Sequence, residues 1–148
     1  ISSGSYPLEI RKLYPDIVVS GEACPMWVPL VENYEYDSPG ADYFVEKRIG
    51  NLLRKDPAID TIVLGCTHYP LLLNKILKYT PRNVRIVPQG EYVAYSLKDY
   101  LQRHTEIETL CTQSGTCRFL TTESPDKFME SASIFLRQHV EAERVVLE

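Results

Sequence analysis

The sequence predicts an α/β fold, a parallel-sheet domain with flanking helices, and three features carry that reading. Short β-branched or apolar runs recur along the chain, at Ile17–Val19, Thr61–Leu64, Val84–Val87 and Cys117–Thr121. Between most of them lie longer stretches whose apolar residues repeat at helical spacing, and Gly or Pro punctuates the joins. Strands that alternate with helices of roughly 10 to 15 residues pair in parallel, because a parallel pair needs a crossover connection.

In chain order, Leu8 to Leu13 reads as a short helix closed by Tyr14-Pro15, since the residue before proline is pushed out of the α region. Ile17-Val18-Val19 reads as a short strand. Cys24 to Val31 is apolar but holds Pro25 and Pro29, which favours a turn and short helix over a strand. Asn33 to Gly40 is a polar loop. From Ala41 to Lys55, Phe44, Val45, Ile49, Leu52 and Leu53 form one face of an amphipathic helix. Thr61 to Leu64 is then a buried strand ending at Gly65, Leu71 to Tyr79 a helix, and Val84 to Val87 the next strand. After Pro88-Gln89-Gly90 a helix resumes through Tyr92, Val93, Leu97, Tyr100 and Leu101. A polar loop holds Cys111, and Cys117 to Thr121 reads as a strand. Ser124-Pro125 supplies an N-cap and a first-turn proline for a helix facing inward through Phe128, Ala132, Phe135 and Leu136.

Composition narrows the function classes. With 148 residues, 44% hydrophobic and 24% charged, the chain has material for a real core. A net charge of −4 with scattered basic residues gives no footprint for nucleic acid. No run approaches the ~20 apolar residues that span a bilayer, so no membrane partner is expected. The opening Ile1-Ser2-Ser3-Gly4 lacks both an initiator methionine and a basic-then-apolar signal, so the expectation is a sequence that starts inside a longer protein. Cys24, Cys66, Cys111 and Cys117 lack CxxC spacing, and free thiols in a cytosolic enzyme, with no metal site, are expected.

Chemistry concentrates in Ile62-Val63-Leu64-Gly65-Cys66-Thr67-His68-Tyr69-Pro70-Leu71-Leu72. An apolar strand runs through a glycine into a thiol, a hydroxyl and an imidazole, then into a helix. Ligands of open α/β sheets bind beyond the carboxyl ends of the strands. A helix start there offers free N–H groups that favour thiolates and carboxylates. A strand-end cysteine taken alone is more often a small buried hydrophobe.

The whole string shifts that balance, because it resembles the carboxyl-terminal signature of glutamate racemases, Gly-Cys-Thr-His-Tyr-Pro followed by leucines. Ala23-Cys24-Pro25-Met26-Trp27-Val28-Pro29-Leu30-Val31-Glu32 is similar to a second family segment. Ser3-Gly4-Ser5-Tyr6 resembles the stretch after a Gly-Thr-x-x-Thr turn, and Phe119-Leu120-Thr121-Thr122 the closing strand. One departure is visible: family members usually place an aspartate after the strand corresponding to Val84–Val87, where this chain reads Pro88-Gln89.

The resemblance implies a two-domain aspartate/glutamate racemase fold, incomplete here. Residues 1–88 would form most of the second α/β domain, and residues 89–148 a segment that completes the first. It implies racemisation of glutamate without a cofactor by two cysteines on opposite faces of Cα, supplying D-glutamate for peptidoglycan in the cytoplasm. Cys66 matches the second of those cysteines, Thr67 a substrate-binding residue, and His68 a residue that binds substrate and assists the thiol. Glu32 matches a carboxylate that assists proton transfer, whereas Cys24 reads as packed. The first cysteine, in a Cys-Asn-Thr segment, and an Asp-Ser-Gly loop are absent, so the missing amino-terminal half is an expected partner and this chain alone an inactive one. Members are commonly dimers, which makes a homodimer a further expectation. The rivals are an aspartate or other amino-acid racemase, which usually carries a glutamate where His68 stands, and a non-catalytic carboxylate-binding module. A Cys–His hydrolase or acyl transferase is disfavoured on sequence, because His68 stands too near Cys66 along the chain and no third orienting group is evident.

Overall fold

A computed structural model describes residues 3–147; Ile1 and Ser2 of the opening segment, and the terminal Glu148, lie outside the described residues. The chain divides into two compact units, residues 1–92 and 93–148.

In the first unit, Gly4 adopts a left-handed conformation (φ 66°) that turns the chain into α1, Ser5–Leu13, three residues earlier than the periodicity suggests. Helix α2, Trp27–Glu32, follows an irregular segment, and α3, Pro39–Lys55, begins inside the expected loop. Its start is written in Ser38-Pro39: the Ser38 hydroxyl accepts from Ala41 N–H at 3.2 Å, and proline needs no N–H partner in the first turn. Strand β1, Thr61–Leu64, leads through a 3₁₀ turn, Tyr69–Leu72, to α4, Leu73–Tyr79, and then to β2, Arg85–Pro88. β1 and β2 pair in parallel, with Leu64 opposite Pro88.

The core of this unit joins Trp27, Val31, Ala41, Val45, Ile49, Ile62, Leu64, Leu72 and Ile76, all buried. Helix α3 packs on α4, and polar groups lock the pair. Asp42 accepts from Lys75 Nζ at 2.6 Å, Lys78 Nζ at 2.9 Å and Tyr79 Oη at 2.8 Å. The Lys75 bond above all holds its carboxyl well below the usual carboxylate range.

Two expectations are corrected here. Ile17-Val18-Val19 forms no strand, and Ile17 and Val18 are exposed. β propensity becomes a strand only beside a partner, and among the described residues the sheet of this unit holds β1 and β2 alone. Nor is β1 buried on both faces: Ile62 and Leu64 point into the core, but Val63 is 46% exposed.

The second unit takes up α5, Gln89–Arg103, which leads out of the first. It continues with α6, Thr105–Glu108, β3, Phe119–Thr121, α7, Pro125–Leu136, and β4, Ala142–Arg144. β3 and β4 pair in parallel around α7. Ser124 occupies the cap position of α7, but its side chain makes no cap bond. α6 and β4 were not expected from the sequence. Apolar burial is sparse in this unit: neither α5 nor α7 buries a residue, and Val140 is its one buried hydrophobic among the described residues.

Candidate active site

Cys66 stands two residues beyond β1, half-buried, where the strand has ended and the chain turns back. Tyr69 N–H donates to Cys66 C=O at 3.2 Å and Leu71 N–H to His68 C=O at 3.1 Å, which coils residues 66–71 tightly. The coil brings His68 Nδ1 to 3.8 Å from Cys66 Sγ. Sequence proximity therefore favours this approach, contrary to the expectation that it would prevent it. Leu71 belongs to the 3₁₀ turn and α4 starts only at Leu73, so the helix end expected beside the thiol lies farther along the chain.

A carboxylate reaches the same imidazole from the other side. Glu32, the last residue of α2, places Oε1 at 3.4 Å from His68 Nε2. The cause is packing: Trp27 and Val31 on α2 are buried, and Trp27 meets the Tyr69 ring edge-on at 4.8 Å. Docking α2 on the 3₁₀ turn thus sets against His68 the carboxylate that the resemblance had singled out, in the place of a third orienting group. Thiol, imidazole and carboxylate stand in file. Thr67, between Cys66 and His68, is exposed at the same turn.

Tyr6 and Gln89 also meet at this end of the sheet, and sequence reading assigned a role to neither. Gln89 Nε2 donates to Tyr6 Oη at 2.8 Å, across 83 positions of chain. A Cβ on Gly65 would lie 3.3 Å from that oxygen, so the phenol edge rests on the backbone just before the thiol. The available signal was the departure noted in the sequence, where Pro88-Gln89 follows the strand.

Burial separates the other thiols. Cys24 points at Glu22 C=O, 3.8 Å away, and burial pushes its thiol up to about 12, leaving it protonated at neutral pH. Burial likewise raises the Tyr69 phenol to about 12, with Cys24 and Cys66 adding to the effect. Glu22 accepts from Arg48 at 3.0 Å, Asn51 at 3.2 Å and Lys55 at 2.5 Å, tying the segment before α2 to α3. Cys111 and Cys117 are exposed in the second unit. His104 pairs with Glu106 at 3.1 Å and packs its ring against Tyr100 at 4.3 Å, and His139 lies 3.8 Å from Glu141. Among the described residues, no group of three or more His, Cys, Asp and Glu could hold a metal ion. No helix among them is long and apolar enough to cross a membrane.

Fold and site define the class: an α/β protein with parallel strands and a Cys-Thr-His turn at the carboxyl end of one strand. No family model matches the chain. Curated relatives do, and they are glutamate racemases. That of Thermoanaerobacter sp. (strain X514) is 36% identical over 141 residues, covering 95% of this chain and 52% of the relative. That of Streptococcus pyogenes serotype M49 is 35% identical over 147 residues, 99% of this chain and 54% of the relative. Among solved structures, glutamate racemase isoform RacE1 from Bacillus anthracis aligns with a TM-score of 0.86 at 30% identity, over 99% of this chain and 53% of that one. The Francisella tularensis glutamate racemase, solved in complex with D-glutamate, aligns at 0.83 and 26% identity, over 99% and 54%. The chain is thus a homologue of glutamate racemases along nearly all its length, and it spans about half the length of the curated relatives it matches.

Proposed function

We propose that this chain is the carboxyl-terminal half of a cofactor-independent glutamate racemase that interconverts L- and D-glutamate by proton transfer at Cα. The observation that carries the reading is the file formed by Cys66, His68 and Glu32, with separations of 3.8 and 3.4 Å. The D-glutamate complex of the Francisella relative supports the substrate class.

Racemisation needs a base on one face of Cα and an acid on the other. The first takes the α-proton, and the second returns a proton to the opposite face of the planar carbanion. A thiol serves both turns because its ordinary pKa lies near enough to neutrality to supply either form. Cys66 is the thiol for one face. His68 stands where it can take or return the sulfur's proton, and Glu32 steadies the imidazole when it is charged. Thr67, with His68, binds substrate from the exposed turn.

The other face needs a second thiol. Cys24 is half-buried and held protonated, and Cys111 and Cys117 precede β3 and follow no strand directly, so none matches the strand-end setting of Cys66. The resembling family draws that cysteine from an amino-terminal Cys-Asn-Thr segment, and the missing half is the partner this chain requires. Residues 1–88 would form most of the second domain and residues 89–148 would complete the first; the sparse apolar burial beyond residue 92 supports that division. The assembled enzyme would be a homodimer in a bacterial cytoplasm, and its D-glutamate would enter peptidoglycan.

One observation favours a second reading: a thiol, an imidazole and a carboxylate in file also suit a Cys–His acyl transferase or hydrolase. An acyl adduct on Cys66 after treatment with an activated ester substrate, seen as a mass increase, would support it. The deciding experiment follows optical rotation of L-glutamate and L-aspartate with the full-length protein and with the 148-residue chain. We expect glutamate to racemise with the full-length protein alone. Turnover of aspartate instead would move the assignment to another amino-acid racemase. Binding of glutamate without turnover by the full-length protein would leave a carboxylate-binding module.

A further inference from the structure

We propose that Tyr6 is a substrate-binding residue of the Cys66 site, oriented by Gln89 so that its hydroxyl donates to a carboxylate of the bound amino acid. The inference rests on the racemase reading and adds a recognition group that the Cys-Thr-His signature does not contain.

The position comes first. Leu64 and Pro88 are paired at the ends of β1 and β2, so Gly65 and Gln89 are the next residues beyond two adjacent parallel strands. Tyr6 touches both. Its oxygen accepts from Gln89 Nε2 at 2.8 Å, and a Cβ on Gly65 would meet Oη at 3.3 Å, Cζ at 3.5 Å and Cε2 at 3.6 Å. The phenol therefore lies across the carboxyl ends of both strands, where open α/β sheets bind their ligands. Cys66 is the residue after Gly65, so the phenol and the thiol flank one turn.

The hydroxyl's bonding capacity comes second. A phenol offers one O–H donor besides its acceptor sites, and the Gln89 amide occupies an acceptor site. No acceptor for the Tyr6 O–H is found among the described residues. Tyr6 is 49% exposed, so an incoming ligand can reach that donor. A donor already fixed in direction binds a carboxylate with little ordering cost. Gln89 holds the phenol as a positioning residue, and a neutral amide does so without setting negative charge beside an anionic substrate.

A purely structural role would use only the ring, which rests on Gly65. Tyr6→Phe separates the two, since it keeps the ring and deletes the hydroxyl. In the full-length protein we expect Tyr6→Phe to raise KM for glutamate about tenfold while kcat falls less than threefold, as loss of one hydrogen bond to a charged group implies. Gln89→Leu should shift KM in the same direction by a smaller factor, and serves as the test if Tyr6→Phe fails to fold. Unchanged KM in the folded variants, with normal turnover by the wild type, would overturn the Tyr6 assignment alone. Failure of the wild-type protein to turn over glutamate would overturn the racemase reading, and this inference with it.

Discussion

At Cys66 the sulfur, an imidazole and a carboxylate come from two short elements, the turn after β1 and the end of α2. What each contributes can be measured separately. His68 is the group within reach of the sulfur, so His68→Gln should lower turnover about a hundredfold in a polarimetric assay, in line with loss of a proton-transfer group. Glu32 faces His68 from a position 60% exposed, where water would take over part of the role proposed for it. Glu32→Gln should therefore cost only about tenfold. A larger loss for Glu32→Gln than for His68→Gln would reverse the order of roles. The residues of the string were legible in the sequence because a strand, a glycine and three reactive side chains follow one another. Glu32 was legible only through its segment's resemblance, since nothing in sequence places it beside His68. The contact of Tyr6 with Gln89 was not legible, because it joins positions 83 residues apart; only the departure at Pro88-Gln89 marked one side of it.

Among the elements, the segment before α2 has no regular structure, and its place against α3 rests on Glu22. That side chain is only 9% exposed, and its bonds, to Lys55 first and then Arg48 and Asn51, lower its carboxyl from the ordinary 4.5 to about 2. A carboxylate with a lower pKa in the folded than in the unfolded chain stabilises the fold above its unfolded pKa, and that contribution fades as pH falls through the folded value. Glu22→Gln should thus cost about 2 kcal/mol at neutral pH, as for hydrogen bonds to charged partners. In urea melts the gap between variant and wild type should narrow as pH falls from about 4.5 toward about 2. A gap independent of pH would show that the charge is not what holds the segment. Most elements followed from periodicity and punctuation, α3 most clearly through its apolar face, although its Ser38-Pro39 start fell in the expected loop. The exceptions have physical causes. Ile17–Val19 has strand-forming residues without a neighbouring strand, whereas β4, Ala142–Arg144, is a strand with little β propensity that forms beside β3. Pairing, which no local pattern encodes, decided both.

At the scale of the whole molecule, the two units differ in how much apolar surface they bury. The first has a shared core beneath α2, α3 and α4, whereas α5 and α7 in the second bury no residue. Local stability follows buried apolar contact. Amide hydrogen exchange on the isolated chain should therefore protect α3 well beyond α5 and α7, and equal protection would contradict the proposed need for a covering half. The most direct test of the central claim replaces one sulfur. In the full-length protein, Cys66→Ala should abolish interconversion of L- and D-glutamate, followed by optical rotation, while its circular dichroism spectrum stays that of the wild type. A folded Cys66→Ala protein that racemises glutamate at the wild-type rate would contradict the account, because the proton would then be moving without this thiol.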